Sequence, residues 1–224
     1  MCWRFYFNMA ISRLLKNILI LLAIIFIILI AINIYFKISY PLSYINIIKK
    51  YSKQFGVDPY LVAAIINVES SFDKDALSSK EARGLMQISP TTGQWAAESL
   101  PLEDFTLDML FDPDVNVMIG TWYINMLSNE FNNNLQLMLA AYNGGSGNVN
   151  KWLEDKDYCG DGENLKKIPF KETEQYIDKV IENYETYKKL YDGQFEKTND
   201  DKGSYLIVLF HNIKKVIKAF VIYK

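Results

Sequence analysis

The stretch VAAIINVESSF, residues 62–72, is an apolar run that ends in a single carboxylate, Glu69. In a helix Glu69 lies on the same face as Ile65 and Ile66, because residues three and four positions apart are neighbours. Aliphatic neighbours remove water from a carboxyl group and raise its pKa towards neutrality, as a general acid requires. The chain then turns through Ser70 and Ser71, and their hydroxyls are candidates to orient the carboxyl. The alternative is an ordinary glutamate at a helix end that points into water.

Helix start and stop signals lie on both sides of this run. Asp58, Ser89 and Asp112 each precede a proline, so each combines an N-cap side chain with proline at the first helical position. Neither a sustained period-two alternation nor a repeat of fixed length is present. The domain is therefore predicted to be mostly α-helical. Its predicted helices cover residues 45–55, 59–70, a short segment from 90, 115–131, 135–143 and 171–191.

Residues 17–36, NILILLAIIFIILIAINIYF, form 20 consecutive uncharged positions between Lys16 and Lys37. This length matches a hydrocarbon core of about 30 Å at a helical rise of about 1.5 Å per residue. A secretory signal has a shorter apolar region and a small-residue cleavage site, and no convincing site is present. A buried core helix is rarely apolar on all sides over such a length. We predict an uncleaved transmembrane anchor, with residues 1–16 as a short cytoplasmic N-terminus that the nearest charges favour.

Charge is unevenly distributed along the chain. Residues 38–210 carry 16 basic and 26 acidic side chains, whereas residues 211–224 carry four lysines and no acid. An acidic body argues against nucleic-acid binding and suits an uncharged substrate. Residues 193–224 are predicted to form a polar linker and a basic amphipathic helix, placed on the membrane surface, on a partner or on the domain itself. The pattern names no protein partner.

Cysteine and histidine are too few to build a metal site. The chain has two cysteines, Cys2 and Cys159, and one histidine, His211. The predicted anchor separates the two cysteines, so we do not expect them to pair. Neither has a metal-ligand partner at a useful spacing, which excludes a structural zinc site. The sequence gives no sign of a metal ion or an organic cofactor.

The motif GLMQ, residues 84–87, carries groups suited to a saccharide. Gly84 permits close backbone approach, and Met86 offers adaptable apolar surface. Gln87 provides an amide donor and acceptor, as a sugar hydroxyl demands. Taken alone, the tetrad has an ordinary explanation as core filler.

Two further motifs place polar groups at helix positions. AYNGG, residues 141–145, puts Tyr142 and Asn143 at a helix end before a glycine turn. Tyr176 belongs to an aromatic stripe in the predicted helix 171–191. Each motif has an ordinary structural explanation, as a C-cap or as core.

The ordered set formed by E-S-x-F at 69–72, GLMQ, AYNGG and the tyrosine of ETEQYIDKV resembles the lytic transglycosylases of the soluble-lytic-transglycosylase (SLT) type. The resemblance covers about residues 45–190. It implies a mostly α, lysozyme-like (goose-type) catalytic domain at residues 37–192, behind one N-terminal transmembrane helix. It makes Glu69 the catalytic acid/base and Tyr176 its hydrogen-bond partner. The residues that the resemblance assigns to the saccharide site are Ser70, Gly84, Met86, Gln87, Tyr142, Asn143 and Tyr176.

The reaction implied by this resemblance needs one carboxylate and no water. Glu69 would protonate the oxygen between MurNAc and GlcNAc in a peptidoglycan strand. It would then act as base on the 6-hydroxyl, which closes onto C1 to form a 1,6-anhydro end. The resemblance implies a membrane-anchored enzyme whose catalytic domain faces away from the cytoplasm.

Two rival functions remain at the level of sequence. A hydrolase of the lysozyme type would use Asp73 or Asp75 to place a water, because most glycosidases need two carboxylates. A non-catalytic module would bind glycan within a cell-envelope assembly. The presence of Glu69, Gln87 and Asn143 argues against the module.

Overall fold

The structure is a computed structural model of the chain, and it describes residues 2–196. The predicted C-terminal helix lies outside these residues. Helices make up the described part, and its only strand-like features are isolated bridges in loops. The elements are α1 (Cys2–Ser39), α2 (Ile45–Phe55), α3 (Pro59–Ser70), α4 (Pro90–Ser99), a 3₁₀ turn (Leu107–Phe111), α5 (Pro113–Glu130), α6 (Leu135–Gly144), α7 (Ser146–Glu154) and α8 (Lys171–Leu190).

Helix α1 contains the predicted membrane span. Within it, the segment Arg13–Ser39 is long and apolar enough to cross a membrane by length and composition. The helix extends beyond the predicted span 17–36 at both ends. The chain divides into two compact units, one that contains α1 and a second that begins at Pro41.

The predicted helix starts are confirmed in detail. The Asp58 carboxylate accepts a hydrogen bond from the backbone N–H of Tyr60 at 2.8 Å. Ser89 and Asp112 cap α4 and α5 in the same way. Gly56 ends α2 with φ +69°, a conformation that residues with a Cβ rarely adopt.

Helix α7 is an element that the sequence analysis did not predict. It begins directly after Gly145, whose φ of +86° turns the chain away from α6. The helix is only nine residues long, and it buries Val149 and Trp152. Such a short helix is stabilised by the packing of its apolar face rather than by its own propensity, which explains why local sequence signals missed it.

Helix α3 lies at the centre of the second unit. Six consecutive residues, Leu61 to Ile66, are buried, so the helix is covered on all sides in this part. It packs along α8 and also contacts α2. The side-chain amide of Asn67 donates to Asn183 of α8 at 2.7 Å. This packing fixes the last turn of α3, which carries Glu69.

Candidate active site

The Glu69 carboxyl lies in an environment that favours its neutral form. It is half-buried in the last turn of α3. Burial raises the pKa of this carboxyl from 4.5 to about 7, and the nearby Tyr176 hydroxyl opposes the shift. Desolvation penalises the charged carboxylate because protein groups solvate it less well than water. The group therefore exists in both protonation states near neutral pH, which suits general acid/base chemistry.

Two tyrosine hydroxyls accompany the carboxyl. Burial raises the pKa of both Tyr142 and Tyr176 well above 10, and the charge of Glu69 adds to both shifts. The Tyr176 hydroxyl is buried and makes no well-formed hydrogen bond with the described residues. The predicted hydrogen bond between Tyr176 and Glu69 is thus a close polar contact in this structure. Both hydroxyls stay protonated at neutral pH. The Tyr176 hydroxyl is the one placed to donate towards the Glu69 carboxylate, because the Tyr142 hydroxyl donates its proton to the Met86 carbonyl.

The expected role of Ser70 in orienting Glu69 is wrong. The Ser70 hydroxyl donates to the backbone carbonyl of Leu85 at 2.7 Å and also lies 3.2 Å from that of Ile66. A helical serine commonly bonds back to the carbonyl four residues earlier. Ser70 therefore ties the end of α3 to the loop that contains GLMQ.

A buried amide that the sequence analysis missed holds that loop in place. The Asn116 side chain of α5 is fully buried. Its Oδ1 accepts from the backbone N–H of Met86 at 2.8 Å, and its Nδ2 donates to the carbonyls of Arg83 and Leu110 at 2.8 and 2.7 Å. Such a network fixes a loop firmly, because each bond broken leaves a buried polar group without a partner. The signal in the sequence that could have identified Asn116 is a polar residue on the apolar face of a predicted helix.

Met86 does not contact the groove through its side chain, contrary to the prediction that it offers apolar surface to a sugar. It is fully buried. Its side chain packs against Gly120 of α5, where a Cβ would overlap the Met86 sulfur. The apolar residue belongs in the core because the loop folds back over α5. Its contribution to the site is its carbonyl, which accepts a hydrogen bond from the Tyr142 hydroxyl at 2.8 Å.

Gly84 permits a close backbone approach, as predicted, but the partner is the protein itself. A Cβ at this position would overlap the Leu110 carbonyl and the Asn116 amide. The residue also has φ +74°, in the left-handed region that favours glycine. Gly84 therefore shapes the loop from behind and is buried away from a ligand.

The side chain of Gln87 is half-buried at the end of the same loop. Its Nε2 donates to the carbonyls of Ala76 and Gly84 at 3.1 and 3.0 Å. These bonds use both amide hydrogens and leave the Oε1 atom as an acceptor for a sugar hydroxyl. Gln87 has φ +47°, an unusual backbone conformation for a non-glycine residue, of a kind often found at functional sites.

Asn143 is exposed in the last turn of α6, next to Tyr142. Its Oδ1 accepts a hydrogen bond from the Thr173 hydroxyl of α8 at 2.8 Å. This bond ties α6 to α8 and leaves the Asn143 amide N–H groups available. Tyr142 and Asn143 thus lie at the same helix end. The Tyr142 hydroxyl is buried, whereas the Asn143 side chain is open to solvent.

The two carboxylates that are nearest to Glu69 in sequence, Asp73 and Asp75, interact with other groups. Asp73 accepts a hydrogen bond from the backbone N–H of Asp75 at 3.0 Å. Asp75 is exposed and pairs with Lys74 at 2.7 Å. Neither acid contributes to the pKa shift of Glu69. Within residues 2–196, no group of three or more potential metal ligands lies together.

Comparison with known proteins identifies the family of the chain that carries this arrangement. The model of the transglycosylase SLT domain matches residues 46–163. The chain belongs to the transglycosylase SLT domain family. The match includes Glu69, the GLMQ loop and the AYNGG motif, and it ends before α8.

Relatives of this SLT-domain chain are lytic transglycosylases by name. The soluble lytic murein transglycosylase of Salmonella typhimurium is 31% identical over 164 residues, which are 72% of this chain and 25% of the relative. The membrane-bound lytic murein transglycosylase C of Edwardsiella ictaluri is 29% identical over 178 residues, covering 66% of this chain and 47% of that protein. The SLT-domain chain spans about a quarter of the length of the first curated relatives.

Solved structures agree with the predicted fold class. An inactive Glu-to-Gln mutant of the lytic transglycosylase Slt from Pseudomonas aeruginosa matches with a TM-score of 0.60 at 33% identity, over 68% of this chain and 25% of that one. A complex of the 70-kDa soluble lytic transglycosylase with bulgecin A matches with a TM-score of 0.60 at 29% identity, over 74% and 26%. The prediction of a mostly helical SLT-type domain is confirmed.

Proposed function

We propose that this SLT-domain protein is a peptidoglycan lytic transglycosylase. It cleaves the β-1,4 bond between MurNAc and GlcNAc and leaves a 1,6-anhydro-MurNAc end. The observation that carries the proposal is the single carboxyl of Glu69, whose pKa burial raises to about 7. Family membership supports it, as do the names of the relatives and the inactivity of a solved Glu-to-Gln relative.

The reaction uses the two protonation states of Glu69 in turn. The acid form donates its proton to the glycosidic oxygen, and the bond from that oxygen to C1 breaks through an oxocarbenium-like transition state. The carboxylate then accepts the proton of the 6-hydroxyl of the same sugar while O6 bonds to C1. Glu69 returns to its acid form, so the protons balance and no water is consumed.

The surroundings of Glu69 favour this reaction over hydrolysis. Glycosidases that add water generally place a second carboxylate across the scissile bond. The two nearest candidates in sequence, Asp73 and Asp75, are engaged in their own loop and do not influence the Glu69 pKa. A nucleophile supplied by the substrate removes the need for a second carboxylate.

The remaining site residues divide into three roles in this proposal. Gln87 and Asn143 contact sugar hydroxyls through the amide atoms that the protein leaves open. Tyr176 stabilises the carboxylate form of Glu69 after it has donated its proton, and Tyr142 is held nearby by its bond to the Met86 carbonyl. Three residues, Ser70, Gly84 and Met86, hold the loop that presents Gln87.

We propose that the protein is anchored in the cell membrane by a single span within α1, with its catalytic unit outside the cytoplasm. The span Arg13–Ser39 supports the anchor, as do relatives that are named membrane-bound. Peptidoglycan lies on the outer side of the cytoplasmic membrane, so the proposed substrate requires this orientation.

The decisive experiment is to incubate the full chain in detergent with purified peptidoglycan and to analyse the released fragments by mass spectrometry. We expect muropeptides that are one water lighter than hydrolysis products. Glu69→Gln removes the acid, so product formation should fall by about 10²-fold or more. Glu182→Gln, an exposed glutamate on α8, is the matched control and should retain full activity.

Other products would replace the proposal with one of its rivals. Hydrated reducing ends would identify a muramidase and direct attention to a second carboxylate. Release of nothing by the wild-type chain, together with retained glycan binding, would favour a non-catalytic module.

A further inference from the structure

A second cleft lies at the opposite end of α3 from Glu69. Its volume is about 610 Å³, and its walls come from the α2–α3 junction, from α8 and from the chain that follows α8. Pro59, the first residue of α3, lines this cleft, whereas Glu69 lies about 15 Å further along the helix. The cleft is therefore separate from the candidate active site.

Lysine side chains and apolar side chains line this cleft together. Lys49 and Lys53 come from α2, and Lys188 comes from α8. The rings of Tyr60 and Phe195 lie 4.9 Å apart and line the same space. A lysine packs its apolar stem on such surfaces while its ammonium group stays in water. This combination suits an amphipathic ligand with an anionic head.

Two acidic residues, Asp58 and Glu196, also line the cleft. The Asp58 carboxylate accepts hydrogen bonds from the Tyr60 N–H at 2.8 Å and from the Tyr184 hydroxyl at 2.7 Å. Its charge is therefore stabilised within the protein. Glu196 is exposed to water. The lining lysines outnumber these acids, so the cleft keeps a net positive charge.

Ser52 of α2 supplies a hydroxyl group without a partner. The residue lines the cleft and is only 4% exposed. Its Oγ atom is buried and makes no hydrogen bond within the part of the chain that the structure describes. Buried polar groups are nearly always bonded, so an orphaned hydroxyl indicates a partner from outside the chain. A hydroxyl donor beside lysines fits the oxygen atoms of a phosphate.

The charge of the chain changes sign shortly after the segment that can span a membrane. Residues 40–57, which follow the span Arg13–Ser39, carry three lysines and no acid. Residues 58–196 carry 11 basic and 24 acidic side chains. Five residues connect the span to α2, and an extended chain advances at most about 3.6 Å per residue. The length of this connection therefore tethers the lysines of α2 close to the surface of the membrane that holds the anchor.

We propose that this cleft binds the phosphate group of an anionic phospholipid. The lysines attract the phosphate, the Ser52 hydroxyl donates to it, and the rings of Tyr60 and Phe195 contact the apolar part of the lipid. The proposal rests on the membrane anchor of the proposed function for the location of the lipid, and it does not depend on the enzymatic reaction. Lipid binding holds the start of α3 at the membrane and directs Glu69, at the other end of the helix, away from it.

The test counts lipids bound to the full chain in a neutral detergent by native mass spectrometry. Anionic phosphatidylglycerol is titrated in parallel with zwitterionic phosphatidylcholine, and we expect the wild type to prefer phosphatidylglycerol. Lys53→Gln combined with Lys188→Gln should weaken phosphatidylglycerol binding about 25-fold, which is about fivefold for each lysine. Ser52→Ala should weaken it about tenfold, as for loss of one hydrogen bond to a charged group.

Lys179→Gln is the matched control, because Lys179 is an exposed lysine of α8 that does not line the cleft. It should leave the affinity for phosphatidylglycerol unchanged. The melting temperature separates binding from folding, because Ser52→Ala removes a hydroxyl without a partner and should not lower it. Unchanged lipid affinity in Ser52→Ala, or equal affinity of the wild type for both lipids, would overturn the site.

Two other occupants of the cleft would give different results. Competition by soluble glycerol phosphate at the same concentration as the lipid would identify a free phosphate as the ligand and overturn the lipid. A tenfold gain in phosphatidylglycerol affinity after removal of residues 197–224 would show that this segment occupies the cleft instead.

Failure of this inference can be told apart from failure of the proposed function. If the full chain sediments with membranes but binds both lipids equally, the anchor stands and the lipid site falls. If the full chain is found free of membranes while the lysine variant loses phosphatidylglycerol in detergent, the anchor falls and the lipid site stands. Release of anhydro-muropeptides is decided independently of both.

Discussion

At the scale of single residues, the buried carboxyl of Glu69 reduces stability at neutral pH, although the same raised pKa suits acid/base chemistry. Its pKa is about 7 in the folded chain, against 4.5 ordinarily. The folded state thus binds the proton more tightly than the unfolded chain does. The stability that this proton contributes is fully present below pH 4.5 and is lost as the pH rises through 7. The shifted pKa changes the free energy of unfolding by at most about 3 kcal/mol, and partial exposure of the carboxyl to solvent makes the change smaller.

Glu69→Gln should therefore stabilise the fold in a pH-dependent manner. Glutamine resembles the neutral acid but cannot become charged. We expect the variant to match the wild type near pH 4 and to exceed it by about 1–3 kcal/mol at pH 8. Denaturant unfolding of residues 41–224 at several pH values measures the difference. A difference that does not change with pH would contradict the shifted pKa, and Glu182→Gln should show little pH dependence.

Tyr176→Phe should shift the pH profile of activity. The Tyr176 hydroxyl lowers the Glu69 pKa, so its removal raises that pKa further. Because the acid form initiates the reaction, the alkaline limb of kcat/KM should move to higher pH. The hydroxyl is buried without a well-formed bond, so its loss should change stability by less than about 1 kcal/mol. An unchanged alkaline limb would place the Tyr176 hydroxyl outside the reach of Glu69.

At the scale of elements, α5 and the GLMQ loop act as one piece. Asn116 bonds the loop on both sides of Gly84, and Met86 fills the space over Gly120. The loop in turn holds α3 through the bond from Ser70 to Leu85. The Glu69 helix and the GLMQ loop are therefore positioned by the same buried contacts.

Gly84→Ala should be far more disruptive than Gly56→Ala. Both glycines have positive φ, +74° and +69°, so alanine pays about 1–2 kcal/mol of backbone strain at each. A Cβ at Gly56 meets nothing within 4 Å, whereas one at Gly84 overlaps backbone and the Asn116 amide. We expect a loss of about 4 kcal/mol or more for Gly84→Ala, from strain plus overpacking. Equal losses in denaturant unfolding would show that backbone strain alone matters.

At the scale of the whole molecule, the unit that begins at Pro41 has its own core and its own ties at both ends. The Tyr187 hydroxyl of α8 bonds the carbonyl of Pro41, the first residue of this unit. Tyr60 likewise bonds the carbonyl of Tyr191 at 2.8 Å, just after α8. These contacts close the unit within itself and do not use α1.

Removal of residues 1–40 should therefore leave a folded enzyme. We expect residues 41–224 to unfold cooperatively and to release anhydro-muropeptides from purified peptidoglycan at a rate similar to that of the full chain in detergent. The full chain should sediment with membranes after cell lysis. An unfolded or aggregated fragment would show that α1 supports the core, and a full chain found free of membranes would contradict the anchor.

The sequence by itself determined the boundaries of the capped helices and the candidate acid, but not the short helix α7. Caps such as Asp58 and stops such as Gly56 act within a few residues, so local chemistry predicts them. Glu69 was predicted because its apolar neighbours lie within one helical turn. Motif order along the chain was enough to predict the family and the fold class.

Tertiary structure alone decided which motif residues face the site and which support it. Met86 is buried because α5, 30 residues away in sequence, packs over it through Asn116. Ser70 turns to the loop carbonyl of Leu85, 15 residues on, instead of to Glu69. Ring contacts join α4 to α5 and α5 to α6, and no local pattern reports such contacts. Burial depends on contacts between residues that are distant in sequence. For this reason the sequence could identify these side chains as candidates but could not assign their roles.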